Sequence, residues 1–201
     1  MLATLYQQLQ QHNGLELAAV LLAVAYLLLA VREHRWCWYA AFASTLIFLQ
    51  IFWDVRLYME SVLQVYYLAM AAYGWWLWRQ PNDNTKALLI STWPWQRHVL
   101  VVGSILLLAW VTGVLLAAYT DARLPYIDAF TTWASIVTTY MVTRKILENW
   151  IYWLVIDTVS IYLYLDRALY FTALLFGIYI LIIGFGWYTW RQRFQQQTQA
   201  A

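Results

Sequence analysis

The feature that most constrains this chain is a series of seven long apolar runs, separated by short polar segments. An α-helix needs about 17 to 25 apolar residues to cross the hydrocarbon core of a bilayer. The runs lack the two-residue alternation of membrane β-strands, and a backbone inside lipid must satisfy its own hydrogen bonds. The sequence therefore predicts an all-α integral membrane protein with seven transmembrane helices. These are placed at residues 15–31, 37–53, 57–78, 98–120, 127–143, 149–165 and 168–190.

The composition excludes several other classes of protein. Hydrophobic residues make up 64% of the chain and charged residues 11%, whereas roughly a quarter of the residues of a soluble domain are charged. A net charge of +2 gives no basic surface for nucleic acid. No cofactor or metal site is expected, because every histidine falls in or beside a predicted loop, and the single cysteine cannot form an internal disulfide. The residues concerned are His12, His34, His98 and Cys37.

The basic residues predict how the chain is oriented. If the seven helices alternate in direction, nine Lys and Arg side chains fall on one face of the membrane: Arg32, Arg35, Arg79, Lys86, Arg97, Arg144, Lys145, Arg191 and Arg193. Three fall on the other: Arg56, Arg123 and Arg167. Cytoplasmic loops carry the excess of basic residues, so the N-terminus is predicted outside and the C-terminus inside. The Gln-rich tail after Arg193 is expected to be disordered.

A shift of 112 residues superimposes the two halves of the chain without a gap. The matches include Arg32 on Arg144, Trp38 on Trp150, Asp54 on Asp166, Tyr67 on Tyr179, Gly74-Trp75 on Gly186-Trp187 and Trp78-Arg79-Gln80 on Trp190-Arg191-Gln192. Two three-helix units in the same orientation need one extra helix between them, so the prediction is a 3+1+3 parallel repeat. The units are residues 15–80 and 127–192, with the linker and connecting fourth helix at 81–126. Such repeats are typical of transporters that hold their substrate between the halves.

One face of the sixth predicted helix carries Trp150, Trp153 and Asp157 at positions i, i+3 and i+7. An acid so deep in a membrane normally faces a cavity or a partner. Two aromatic faces beside a carboxylate suit a flat cationic ring, through cation–π attraction and charge neutralisation. The alternatives are a structural hydrogen bond for Asp157 and a membrane-interface position for the tryptophans.

The third predicted helix brings Glu60, Gln64 and Tyr67 onto one face. A buried Gln has donors and an acceptor that can orient a polar substituent. The alternatives are a solvated Glu60 near the outer interface and a Gln64 that joins two helices.

Four tryptophans near the basic ends of helices are predicted to form an interfacial belt: Trp75, Trp78, Trp187 and Trp190. Gly74 and Gly186 precede them and are expected to permit close helix approach.

Three motifs carry a family resemblance: Glu148-Asn149-Trp150-x-x-Trp153-x-x-x-Asp157, Gln64-x-x-Tyr67 and Tyr73-Gly74-Trp75-x-x-Trp78. Together they resemble the Pnu vitamin transporters over nearly the whole chain. The resemblance implies a SWEET-like arrangement of seven helices, facilitated diffusion of an unphosphorylated vitamin across the bacterial inner membrane, and trapping of that vitamin by a cytoplasmic kinase. The candidate substrate-binding residues are Trp150, Trp153, Asp157, Gln64, Tyr67, Glu60 and Asn149.

Asp157 departs from the nicotinamide riboside branch of that family, which has Asn at this position. An Asn matches a carboxamide by reciprocal donor and acceptor, whereas a carboxylate only accepts and suits an amine-bearing or cationic ring. Thiamine has both an aminopyrimidine and a thiazolium. The expected substrate is therefore thiamine, as in the PnuT-like branch, with nicotinamide riboside as the alternative.

Other classes of membrane protein fit less well. A retinal photoreceptor needs a lysine within a helix, and both lysines, Lys86 and Lys145, are in predicted loops. An intramembrane protease needs a nucleophile beside a base, and every histidine falls in or beside a predicted loop, so the chain is not expected to be an enzyme. A non-transporting scaffold remains an alternative, and the sequence leaves open the oligomeric state, including a homo-oligomer.

Overall fold

The computed structural model describes residues 14–54, 58–79, 88–120, 124–166 and 170–200, and the regular secondary structure in these ranges is helical. The predicted all-α fold with seven helices is confirmed for the described residues. The helices are α1 (Gly14–Val31), α2 (Cys37–Asp54), α3 (Tyr58–Leu77), α4 (Trp95–Tyr119), α5 (Pro125–Thr143), α6 (Asn149–Asp166) and α7 (Tyr170–Ala200).

Most helix boundaries lie within three residues of the predicted ones. Two helices start at prolines: Pro94 caps α4 in an extended conformation, and Pro125 opens α5, where its missing N–H leaves no hydrogen bond unmade. The expected disorder of the tail was wrong, because α7 continues to Ala200. Gln dominates the residues after Arg193, and Gln is a good helix former.

Two helical stretches are long and apolar enough to cross a membrane by length and composition, Trp95–Tyr119 and Ala173–Gln199. The stretches Ala18–Val31 and Cys37–Gln50 are apolar but shorter. Within α4, the buried residues are Ile105, Ala109 and Gly113. The rest of this helix exposes large apolar side chains, which is the surface expected of a helix that lies against lipid.

Six of the helices form a closed ring. Within the described ranges, the backbone contacts between helices join α1 to α2, α2 to α3, α3 to α5, α5 to α6, α6 to α7 and α7 back to α1. The backbone of α4 contacts only α5, on the outside of this ring. No backbone contact among the described residues crosses the ring, so α2 lies opposite α6, and the space that the six helices surround is called the ring interior below.

One end of the ring is closed by side chains from opposite helices and is called the basic end, because Arg32, Lys145 and Arg193 lie there. Glu33, after α1, accepts hydrogen bonds from Lys145, after α5, at 2.7 Å, and from Arg193 at 2.7 Å. The carboxylate of Glu33 and the ammonium of Lys145 are only 11% and 12% exposed. Glu33 and Lys145 are 112 residues apart, and both have positive φ, 54° and 51°.

The described part of the link before α4 packs against the basic end. Ser91 donates its N–H to the carbonyl of Lys145 and accepts from the N–H of Leu147. Ile90 is buried beside them. At the start of α4, His98 Nδ1 lies 2.9 Å from the Tyr152 hydroxyl of α6. The link is therefore attached to the loop between α5 and α6.

Candidate substrate-binding site

The predicted face of α6 points into the protein. Trp150 is buried, Trp153 is partly buried against the core, and Asp157 is 3% exposed. Asp157 is eight residues beyond Asn149, so it lies about 12 Å from the basic end at 1.5 Å per residue. The three side chains thus form a column that runs from the closed end towards the middle of the ring.

The bottom of this column is a packing site. The Trp150 ring lies against the backbone of Gly186, where an added Cβ would come within 2.5 Å of it. It also meets the Trp190 ring edge to face, with the ring centroids 5.4 Å apart. The matching residues of the other half pack in the same way: the Trp38 ring lies against Gly74.

The predicted interfacial belt was wrong for Trp78 and Trp190, which are 5% and 0% exposed. Their centroids are 6.2 Å apart across the ring. Trp78 donates its indole N–H to the carbonyl of Thr143 at 3.0 Å, and Trp190 donates to the carbonyl of Ala30 at 3.1 Å. Each tryptophan thus caps a helix of the other half.

Asn149 is completely buried at the first position of α6 and donates to the carbonyl of Ile146 at 2.6 Å. Its Oδ1 has no hydrogen-bond partner within the described structure. Its position at the start of the helix separates it from Asp157 by about 12 Å along the axis. The structure therefore does not bring Asn149 together with the carboxylate.

On α3, Gln64 is 9% exposed and Tyr67 is partly buried. The phenol of Tyr26 on α1 lies near those of Tyr67 and Tyr179, which come from α3 and α7. Tyrosines from three helices thus converge in the ring interior. Sequence reasoning did not select Tyr26 or Tyr179, although the 112-residue shift relates Tyr179 to Tyr67. The side chain of Glu60 lies outside the described residues.

Several buried polar side chains in the described part of the chain form no hydrogen bond or ion pair. Asp157, Gln64 and Thr45 are the most informative, on α6, α3 and α2. Their polar atoms keep a small accessible surface, so each faces a space that water can reach. Buried polar groups are normally paired. The remaining members of this group are Ser135 and Ser160.

Two cavities on the outside of the helices are lined mainly by apolar and aromatic side chains and are unsuited to a polar ligand. A groove of about 630 Å³ between α4, α5 and α6 is lined by apolar and aromatic side chains such as Leu106, Trp110 and Phe130. It opens towards the lipid-facing side of the bundle. We therefore place the candidate site in the ring interior, where the unpaired polar groups are.

The arrangement offers a carboxylate, an aromatic face one turn away and an amide, but no nucleophile beside a base and, within the described residues, no group of three or more side chains that could hold a metal ion. Such an interior can bind a small organic molecule without reacting with it. A ring of helices around such an interior, closed at one end, is the arrangement expected of a small-molecule transporter.

Comparison with known proteins identifies the family of transporters to which this chain belongs. A family model described as nicotinamide mononucleotide transporter matches residues 13–192, and the chain belongs to that family. The nicotinamide riboside transporter PnuC of Escherichia coli is 29% identical over 149 residues, which cover 62% of this chain and 62% of the relative. The riboflavin/roseoflavin transporter RibM of Streptomyces davaonensis is 24% identical over 184 residues, 89% of this chain and 85% of that protein.

The crystal structure of the vitamin B3 transporter PnuC has the same fold, with a TM-score of 0.75 over 96% of this chain and 87% of that chain, at 16% identity. The relatives are transporters of vitamins, so the chain is a membrane protein of a vitamin transporter family and not an enzyme. The family predicted from the motifs is thereby confirmed. The relatives give no specific support to thiamine, and nicotinamide riboside fits at least as well.

Proposed function

We propose that this protein carries an unphosphorylated, positively charged vitamin across the bacterial inner membrane by facilitated diffusion. The observation that supports this most is the unpaired carboxylate of Asp157 in the ring interior of a vitamin transporter. An isolated buried charge is strongly unfavourable, and a cationic ligand would compensate it. Trp153, one turn away, would place an aromatic face against the same cation.

Phosphorylated forms of the vitamin would lack such compensation. The described Lys and Arg side chains lie in loops, in the first turn of α4, or on the last part of α7 at and beyond the basic end, so none is available in the ring interior to neutralise a phosphate. This distribution supports the free vitamin as the substrate. A cytoplasmic kinase would then retain the vitamin inside the cell by adding the phosphate.

Two cationic vitamins are candidates, each favoured by a different observation. Thiamine is favoured by the carboxylate, which can accept a hydrogen bond from its aminopyrimidine amine and offset its thiazolium charge. Nicotinamide riboside is favoured by the E. coli relative, which transports it. The seven helices would all cross the membrane as a 3+1+3 parallel repeat, with the basic end in the cytoplasm.

Transport would not be coupled to an ion gradient. Apart from Asp157, the ring interior in the described ranges has no series of Asp, Glu or His side chains that could relay protons. Purified protein in proteoliposomes should equilibrate labelled vitamin across the membrane without accumulating it. Uptake against a gradient driven by pH or sodium would contradict facilitated diffusion, and no uptake at all would favour the non-transporting scaffold.

The substrate is tested by calorimetric titration of wild type and Asp157→Asn with each vitamin. In Asp157→Asn the affinity for thiamine should fall about 10- to 150-fold, the equivalent of a hydrogen bond to a charged group. The affinity for nicotinamide riboside should fall less. Asp166→Asn makes the same change at the exposed end of α6 and should alter neither affinity. Equal losses for both vitamins would make Asp157 a nonspecific counter-charge, and no loss for either would indicate a structural role.

A further inference from the structure

We infer that Thr45 on α2 is a second ligand-contacting residue, which faces Asp157 across the ring interior and recognises a hydroxyl group of the substrate. This inference rests on the proposed function, because it assigns a role within the same site. It concerns the end of the ligand that does not carry the charge.

The first support is the unused hydroxyl of Thr45. Among the described residues, the buried threonines are Thr45, Thr138, Thr139 and Thr143. The last three each donate to a carbonyl of their own helix, at 2.7 to 2.8 Å, which is the usual solution for a Thr inside a helix. Thr45 is 8% exposed and makes no such bond. Its hydroxyl is therefore free to bond to a molecule in the ring interior.

The second support is position. Thr45 is eight residues beyond Cys37, the first residue of α2, as Asp157 is eight residues beyond Asn149 on α6. Both side chains thus lie about 12 Å from the starts of their helices. Because α2 and α6 are opposite in the ring, the hydroxyl and the carboxylate flank the same level of its interior.

The third support is the difference in side-chain size between α6 and α2, one turn below Asp157 and Thr45. On α6, Trp153 lies one turn below Asp157, whereas the matching residue one turn below Thr45 is Ala41. The α6 side therefore offers a broad aromatic face, and the α2 side leaves room. A ligand whose cationic ring stacks on Trp153 would extend its other end towards Thr45.

The chemistry of that other end follows from the side chain. A threonine hydroxyl both donates and accepts, so it suits a hydroxyl partner better than a purely accepting or donating group. Thiamine ends in a hydroxyethyl group and nicotinamide riboside in a ribose. Thr45 would thus select for a hydroxyl-bearing substituent on a cationic ring, whichever of the two vitamins is carried.

The test uses Thr45→Val, which keeps the shape and removes the hydroxyl, with Thr45→Ser as the variant that retains it. Thr138→Val is the matched control, since its hydroxyl is bonded within its own helix. Calorimetric titration compares the better-bound vitamin with an analogue that lacks the hydroxyl group or groups; for nicotinamide riboside this is the N-methylnicotinamide cation. We expect Thr45→Val to lower the affinity for the vitamin about 2- to 13-fold, the range for one neutral hydrogen bond. The affinity for the analogue should stay unchanged.

Thr45→Ser and Thr138→Val should bind the vitamin like wild type. Equal vitamin affinities for Thr45→Val and wild type, or equal losses for vitamin and analogue, would overturn the inference while leaving the proposed function intact. Wild type that binds neither vitamin would overturn both. If Thr45→Val does not fold, Thr45→Ala provides the same comparison, because it also lacks the hydroxyl.

Discussion

The close contact between Trp150 and Gly186 makes a sharp prediction about Gly186→Ala. An alanine Cβ would lie 2.5 Å from two Trp150 ring carbons, about 1 Å closer than the normal contact of 3.5 Å or more. The ring cannot move away easily, because it is 2% exposed and its edge meets Trp190. Overpacking of this kind costs about 1–3 kcal/mol. We expect the thermal unfolding midpoint in detergent to fall by about 2–12 °C, using 2–4 °C per kcal/mol for a chain of this size.

The control lies two residues away on the same helix. An added Cβ at Gly184 meets nothing within 4 Å, and replacing Gly by Ala in a helix stabilises it by about 0.4–1 kcal/mol. Gly184→Ala should therefore keep or raise the midpoint, measured by light scattering and tryptophan fluorescence during heating. A second change, Trp150→Phe, should recover part of the loss in Gly186→Ala by removing ring atoms. The reasoning is refuted if Gly186→Ala melts like Gly184→Ala.

Three further predictions concern the same end of the molecule. Gly74→Ala should destabilise the protein in the same direction as Gly186→Ala, because its Cβ would overlap the Trp38 ring; an unchanged melting midpoint would contradict the contact. Glu33→Gln should cost about 1.5–3 kcal/mol by removing the charge-assisted hydrogen bonds from Lys145 and Arg193, and a melting midpoint equal to that of wild type would contradict this. Trp190→Phe should cost about 0.5–1.5 kcal/mol beyond the lost ring area, since it removes a hydrogen bond to α1, and an unchanged melting midpoint would contradict this.

The sequence was sufficient to predict the helices, because the pattern that indicates each helix lies within its own residues. Apolar runs of membrane-spanning length predicted α1 and α6 to within one or two residues, and prolines mark the starts of α4 and α5. The end of α7 was missed for a local reason as well: a polar tail rich in Gln looked disordered, although its residues are good helix formers that continue an existing helix.

The candidate site was only partly predictable, because burial depends on which helices become neighbours. Helical spacing placed Trp150 and Asp157 on one inward face, yet it could not show that Trp150 is used for packing against Gly186. Trp78 and Trp190 sit near helix ends, where tryptophans usually face lipid headgroups. Only the closure of the ring buries them. Thr45 carries no signal of its own, and its unbonded hydroxyl is visible only in the structure.

The positions related by the 112-residue shift divide into residues used for packing and residues proposed to recognise the substrate. Trp38 and Trp150 are identical under the predicted repeat, and both lie against glycines, as two halves that close in the same way require. One level deeper the sides differ, with Thr45 opposite Asp157. A vitamin with a cationic ring at one end and a hydroxyl at the other has no twofold symmetry. A site with the same side chain on both sides would bind it equally well in two opposite orientations, whereas an acid facing a hydroxyl favours one. The unequal pair is therefore where substrate orientation would be set, and changing either member should alter recognition with little effect on the closure of the basic end.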